Sequence, residues 1–298
     1  MKSSLNRPGF GTILMLALLS FTSPVWSQES LIRFESSGQV DWLREEFNAQ
    51  ASFNLAQAGI KLPAGRFMGE ETLGEAYPRL IRPYLLSIRV DSSSTIGSLV
   101  EKGEVSLEDI DRFSLEAEKI PPSLSADLAR MTGSYTISLG KISAFLSQHR
   151  RAAEPAKPLI PAYTADYTGI IIIASEELPV HGRRAQARME PCLFPKIWDT
   201  NMNLIYERNM FEPSRGLIVR YAESESIFRP TPSGLEGDLA ALVGPNPLRI
   251  LAREVFGINP TDPVIDTDDA LRIISSENNR RLLGEGRIIL VVPQLKNK

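Results

Sequence analysis

The sequence predicts an α+β protein: mixed sheets with packed helices, an N-terminal strand/helix domain, then a C-terminal domain with a central buried strand and a β-hairpin. Ile170–Ile173 is an unbroken β-branched run, which suits a strand buried on both faces better than one that exposes every second side chain. Phe47, Ala49, Ala51, Phe53 and Leu55 alternate with Asn48, Gln50, Ser52 and Asn54, the pattern of a half-buried strand. Leu73, Ala76, Tyr77, Leu80, Ile81, Tyr84 and Leu85 recur at helical spacing and define one face of a helix.

In chain order, Met1–Ser27 has the parts of a secretory signal peptide. Lys2 and Arg7 precede an apolar run from Ile13 to Leu19 that continues to Phe21, and Val25-Trp26-Ser27 precedes Gln28. The run is too short for a bilayer, which needs about 20 apolar residues. No Cys follows it to take a lipid, so the expectation is an exported, unlipidated protein, and no later stretch reads as a membrane span. The 298 residues exceed one typical domain. The expected division is a signal peptide over 1–27, an N-terminal α+β domain over 28–149, a linker over 150–161 and a C-terminal α+β domain over 162–298.

Within the N-terminal part, Leu31–Phe34 predicts a short opening strand and Ser36-Ser37-Gly38 a turn, with Trp42 as a packing anchor. A loop is expected over Gly59–Gly69, and Pro78 and Pro83 predict a kinked or broken helix after it. Asp91–Thr95 is expected to cap a turn and Ser106–Asp109 to cap a short helix through Glu118; Ser125–Leu139 returns as a strand. Arg150–Pro161, with its prolines and small residues, reads as the linker.

In the C-terminal part, Leu193–Trp198 and Asn203–Tyr206 flank the turn Asp199–Met202 as a hairpin. Gly216–Tyr221 predicts a strand and Arg229–Gly237 a Pro/Gly loop. Pro247 is expected to open a helix with Leu248, Leu251, Ala252 and Val255 on one face, ended by Gly257. Asp262–Asp266 then predicts a short strand, Thr267-Asp268-Asp269 a helix start and Ser276–Leu283 a helix stopped by Gly284. Arg287–Val292 is an apolar terminal strand expected beside Ile170–Ile173.

Composition narrows the function classes. With 33 Lys plus Arg against 36 Asp plus Glu, the formal net charge is −3, which argues against a nucleic-acid partner. Cys192 is the only cysteine, so no intramolecular disulfide forms, and its apolar neighbours make it a buried small hydrophobe. His149 and His181 are the only histidines, and no Gly-x-Ser-x-Gly elbow is present. Asp262, Asp266, Asp268 and Asp269 lack the spacing of a calcium loop and read as helix caps. No catalytic residue, cofactor or metal is assigned. The one candidate interaction site is the loop Glu176–Pro191, where His181, Arg183, Arg184, Arg188 and Glu190 could hold an anion.

The segments V-D-W (Val40–Trp42), Y-T-G-I-I-I-I-A, F-P-K-I-W-D, A-R-E-V-F-G-I-N-P-T-D-P-V-I-D and the ending D-A-L-R-I-I-S-S-E-N-N-R-R-L-L-G-E-G-R-I-I-L-V-V resemble the FlgP-like bacterial envelope lipoprotein group. The similarity covers Asp166–Val292 and, more weakly, Leu31–Leu55; the chain departs from the group in lacking the lipidation Cys. It implies a periplasmic or outer-membrane protein without catalytic residues, which contacts envelope proteins such as flagellar basal-body components. A homo-oligomer and a peripheral membrane contact are compatible with it. The alternative is a periplasmic small-ligand binder or hydrolase using the loop around His181.

Overall fold

The computed structural model describes residues 32–147, 149, 151–212, 216–227, 235 and 237–294. The Met1–Ser27 segment, and all of Arg229–Gly237 except Leu235 and Gly237, lie outside the described residues. Strand β1 (Phe34–Asp41) pairs antiparallel with β2 (Glu46–Asn54), Phe34 opposite Phe53 and Asp41 opposite Glu46. Asp41 Oδ1 closes their turn by accepting the N–H groups of Leu43 and Arg44. Phe47, Ala49, Ala51 and Phe53 are buried, as the alternation predicts.

Ser36–Gly38, expected as a turn, lies inside β1 and is paired with β2 throughout. The glycine serves a close approach instead: a Cβ on Gly38 would stand 2.7 Å from Tyr84 Cβ. Tyr84 lies on α1 (Arg66–Leu86), and its hydroxyl donates to the Ser36 carbonyl at 2.6 Å. Helix α1 runs unbroken through Pro78 and Pro83, so of the expected kink or break the break does not occur. Its buried stripe, Leu73, Tyr77, Ile81 and Leu85, repeats every four residues and holds the helix to the sheet. Gly74 and Arg79, whose carbonyls lose their helical donors to the prolines, lie off that stripe.

Helices α2 (Ile96–Glu101) and α3 (Leu107–Leu115) begin with capping boxes at Thr95 and Ser106. Strands β3 (Glu118–Leu124) and β4 (Arg130–Ser138) complete a four-stranded sheet of order β1-β2-β4-β3, and α4 (Leu139–Leu146) follows. Pro121 and Pro122 are tolerated because β3 is an edge strand.

The second layer is built on β5 (Ile170–Ile173). A small hairpin, β6 (Glu177–Pro179) and β7 (Gln186–Arg188), is followed by the expected hairpin β8 (Ile197–Asp199) and β9 (Leu204–Tyr206). Then come β10 (Arg220–Glu223), the short helices α5 (Ser224–Ile227) and α6 (Gly237–Val243), β11 (Leu248–Phe256) and β12 (Asp262–Ile265). Helices α7 (Thr267–Ser275) and α8 (Glu277–Gly284) lead into β13 (Ile288–Val292). The seven-stranded sheet has the order β10-β13-β5-β11-β12-β8-β9. Ile170 sits opposite Ile288 on one side and Leu248 on the other, both in parallel pairings, so β5 is central and β13 is its neighbour as the sequence predicts.

The segment from Leu248 is a strand, not the expected helix. Leu248, Ile250 and Ala252 are buried while Arg249, Leu251 and Arg253 are exposed, a period of two that the apolar Leu251 disguises as helical spacing. The fold is thus α+β with mixed sheets, and the chain from Ile32 onward forms one compact unit. Among the described residues, no helix is long and apolar enough to cross a membrane.

Candidate functional site

The loop Glu176–Pro191 is ordered as the β6–β7 hairpin, with Glu177 opposite Arg188 and Pro179 opposite Gln186. Its tip turns at Gly182, and Arg183 and Arg184 are exposed there. His181 leans back on β11: its N–H donates to the Val255 carbonyl at 2.9 Å, and Nδ1 lies 2.5 Å from Glu254 Oε2. Arg188 Nε pairs with Glu177 Oε1 at 3.4 Å, and Glu190 Oε2 with Arg89 Nη2 at 3.0 Å. His181, Arg188 and Glu190 are therefore engaged by three different elements rather than gathered around one anion. Exposed pairs of this kind contribute about 0–1 kcal/mol each.

Beneath the hairpin, the chain from Glu190 to Phe194 is clamped between segments distant in sequence. The N–H groups of Leu193 and Phe194 donate to the carbonyls of Arg89 and Val90 at 3.0 and 2.8 Å. The Tyr221 hydroxyl accepts the Cys192 N–H at 3.0 Å and donates to the Cys192 carbonyl at 2.9 Å, while the Tyr221 ring meets Trp42 edge-on. Asn259 donates to the Ser92 carbonyl from its backbone and its side chain. Gly257, at φ 116°, permits that approach, because a Cβ there would stand 2.4 Å from Ser92 Cβ. Trp42 is the packing anchor the sequence suggests, and Cys192 is buried. Burial pushes the thiol of Cys192 and the hydroxyl of Tyr221 far up, so both stay neutral.

Asp262 is also part of this junction. It is 1% exposed and caps no helix, contrary to the expectation for the Asp262–Asp269 acids; Asp266 is the residue that caps α7, accepting from the Asp268 N–H. Asp262 Oδ1 accepts from the Lys196 N–H at 3.2 Å and the Thr261 hydroxyl at 2.8 Å, and Oδ2 lies 3.5 Å from the Trp198 indole nitrogen. Burial pushes its carboxyl up to about 6, against the opposing pull of the Thr261, Lys196 and Trp198 donors. Among the described residues, no group of three or more His, Cys, Asp or Glu side chains is placed to hold a metal ion.

The chain from Arg151, within the stretch expected as a linker, on to Tyr167 is a strap whose 162–167 part is bonded to α7 and α8. The N–H groups of Ala162 and Tyr167 donate to Ser275 Oγ and Asn279 Oδ1 at 2.9 and 3.0 Å, and Asn279 Nδ2 returns a bond to the Ala165 carbonyl at 2.9 Å. Asn278 Nδ2 donates to the Tyr167 carbonyl at 2.9 Å, and Ser276 Oγ to Asp166 at 2.6 Å. Ala152, Pro155 and Pro158 are partly buried at a period of three, the repeat of an extended polyproline-type chain. A groove of about 650 Å³, lined by Ala153, Pro155, Met210 and Arg280 among others, runs beneath this part. At and after a bend at 159–160, Leu159, Ile160 and Tyr163 stand 102%, 85% and 102% exposed. The signal in the sequence was two large apolar residues, Leu159 and Ile160, enclosed by Pro158 and Pro161 in a stretch otherwise made mostly of alanine, proline and charged residues.

Residues 33–145 match a family described as the N-terminal domain of Treponema pallidum Tp0624, and residues 169–294 match one described as the second domain of the same protein. The first match spans the four-stranded layer with α1 to α3, and the second spans the seven-stranded layer. The strap lies between the two. No curated protein matches the chain.

Proposed function

We propose that this chain, similar in its two layers to consecutive domains of Treponema pallidum Tp0624, is a non-catalytic exported envelope protein that works by contact with another protein, with the strap as its contact surface. The observation that carries this reading is the trio Leu159, Ile160 and Tyr163, large exposed side chains of which Tyr163 lies within, and Leu159 and Ile160 just before, the backbone that Ser275, Asn278 and Asn279 pin from Ala162 to Tyr167. Burying one such side chain yields about 1.5–3 kcal/mol. A segment ordered in advance loses less conformational entropy when it docks. The partner is another envelope protein with an apolar cleft. The signal-type segment Met1–Ser27 and the FlgP-like resemblance support the envelope setting and an assembly such as a flagellar basal-body collar.

Cross-linking in cells followed by mass spectrometry tests this. The wild type is expected to give links from the strap to an envelope protein, and a Leu159→Ser, Ile160→Ser, Tyr163→Ser variant to lose them while melting as the wild type does. Unchanged links in the variant, or a cytoplasmic monomer with no envelope neighbour, would sink the reading. The second reading is a small-ligand binder or hydrolase at the β6–β7 hairpin, favoured by the imidazole that Glu254 orients. A His181→Ala, Arg183→Ala variant that leaves every measurable ligand and activity unchanged removes it.

A further inference from the structure

Strands β8 and β9 end the seven-stranded sheet, and β8 joins β12 through only two register pairs, Trp198 with Val264 and Asp199 with Ile265. What reinforces that seam is Asp262, which takes the Lys196 N–H just before β8 and reaches the Trp198 indole within it. No cation stands on this carboxylate among the described residues. Lys196, the one positive group that acts on it, lies with Nζ over the Trp198 ring at 5.9 Å from its centroid. The other groups turned toward it are neutral or negative. The stretch before β8 brings the Cys192 thiol, β10 the Tyr221 hydroxyl, β11 the Phe256 ring opposite Asp262, and Thr261 its hydroxyl. Asp91 adds a like charge felt at Cys192; burial works against its ionisation, but donors from Ser93 and Ser94 outweigh that and keep its carboxyl below the usual range.

We propose that Asp262 is a proton-operated latch on the β8–β9 hairpin. With the carboxyl neutral, the hairpin is held against β12; with it ionised, a charge that no cation neutralises sits in a buried site, at a cost its three donors offset only in part, and the hold loosens. Opening the hairpin returns the carboxylate to water, which favours its charged form. The latch therefore closes on acidification, the reverse of a carboxylate engaged by a cation. Displacement of the carboxyl from 3.8 to about 6 predicts a closed-to-open ratio about 10-fold larger at pH 5 than at pH 7.5.

Hydrogen exchange on the full chain reads this directly. Corrected for intrinsic exchange, the amides of Lys196 and Trp198 are expected to be about 10-fold better protected at pH 5 than at pH 7.5 in the wild type, and equally protected at both in Asp262→Asn, whereas the Asp199 amide, bonded to the Asn203 carbonyl inside the hairpin, should change little. Wild-type protection that does not change with pH, or a variant that keeps the wild-type change, overturns the latch. Should the variant not fold, a carboxyl titration of the wild type by NMR decides. A midpoint for Asp262 at or above pH 5 supports the proposal and one below it overturns it.

Discussion

The two sheets bury their strands in different ways. In the four-stranded layer, β2 lies under α1 with one face turned inward, and Phe47, Ala49, Ala51 and Phe53 alternate with polar neighbours. In the seven-stranded layer, β5 and β13 are covered on both faces: Ile170 and Ile172 belong to the main core, whereas Ile171 packs with Leu239 and Val243 of α6. The same backbone geometry thus writes two different sequence patterns, and the pattern reports how many faces are covered rather than which sheet a strand joins.

This contrast is sharpest in adjacent positions. Ile171→Ala and Ile172→Ala are each expected to cost about 2–5 kcal/mol by denaturant unfolding, because neighbouring side chains of β5 fill separate cores. In β2, Phe53→Ala is expected to cost about 3–5 kcal/mol and Gln50→Ala to stay within about 0.5 kcal/mol. A cheap Ile171→Ala would break the comparison.

The next effect in size concerns how α1 meets the four-stranded layer. Gly38→Val should destabilise by about 1–3 kcal/mol, since its Cβ would collide with Tyr84 and force the helix off β1. A matched substitution at Gly74, where a Cβ meets nothing within 4 Å, should be free of that collision, and thermal melts of the pair separate the two.

At the junction of the layers the expected effect is smaller and depends on pH. The carboxyl of Asp262 is raised in the folded chain, so its contribution is fully present below its usual value of 3.8 and is lost as pH rises through about 6. Between pH 5 and pH 7.5 this group alone should lower stability by about 1.4 kcal/mol, the equivalent of a 10-fold change. Melts of Asp262→Asn across the same range should lack that component. Smallest of all, Ser106→Ala removes the capping box of α3 and should cost about 1 kcal/mol without touching either core.

Where a segment's own pattern decided its state, the sequence was sufficient. Ile170–Ile173, the hairpin around Asp199, the cap at Ser106 and the helix pair leading to Ile288–Val292 are found as predicted, while Thr95 caps a helix rather than a turn and the helix after Ser106 ends at Leu115, short of the expected Glu118. Elsewhere a local rule lost to packing. Gly38 serves helix–sheet contact instead of a turn, Pro78 and Pro83 sit inside a helix held by its buried stripe, and Leu251 gave a strand the look of a helix. The candidate loop was visible as a polar stretch, but its pairings with Glu254 and Arg89 were not, because those partners come from distant parts of the chain.

By itself, then, the sequence determined the α+β class, the strand that would be buried on both faces, the strand that would join it, the acidic charge balance and the single buried cysteine. Each of these follows from the order of side chains along a short stretch, and hydrophobic periodicity is a local quantity. Only the tertiary structure decided that Leu159, Ile160 and Tyr163 would be held in the open, that Asp262 would lose its water, and that Tyr221 would clamp Cys192. Burial of a polar group, or exposure of an apolar one, is set by what the rest of the chain brings against it. Residues from β8, β10, β11 and β12 meet around Asp262, and no window along the sequence contains them all.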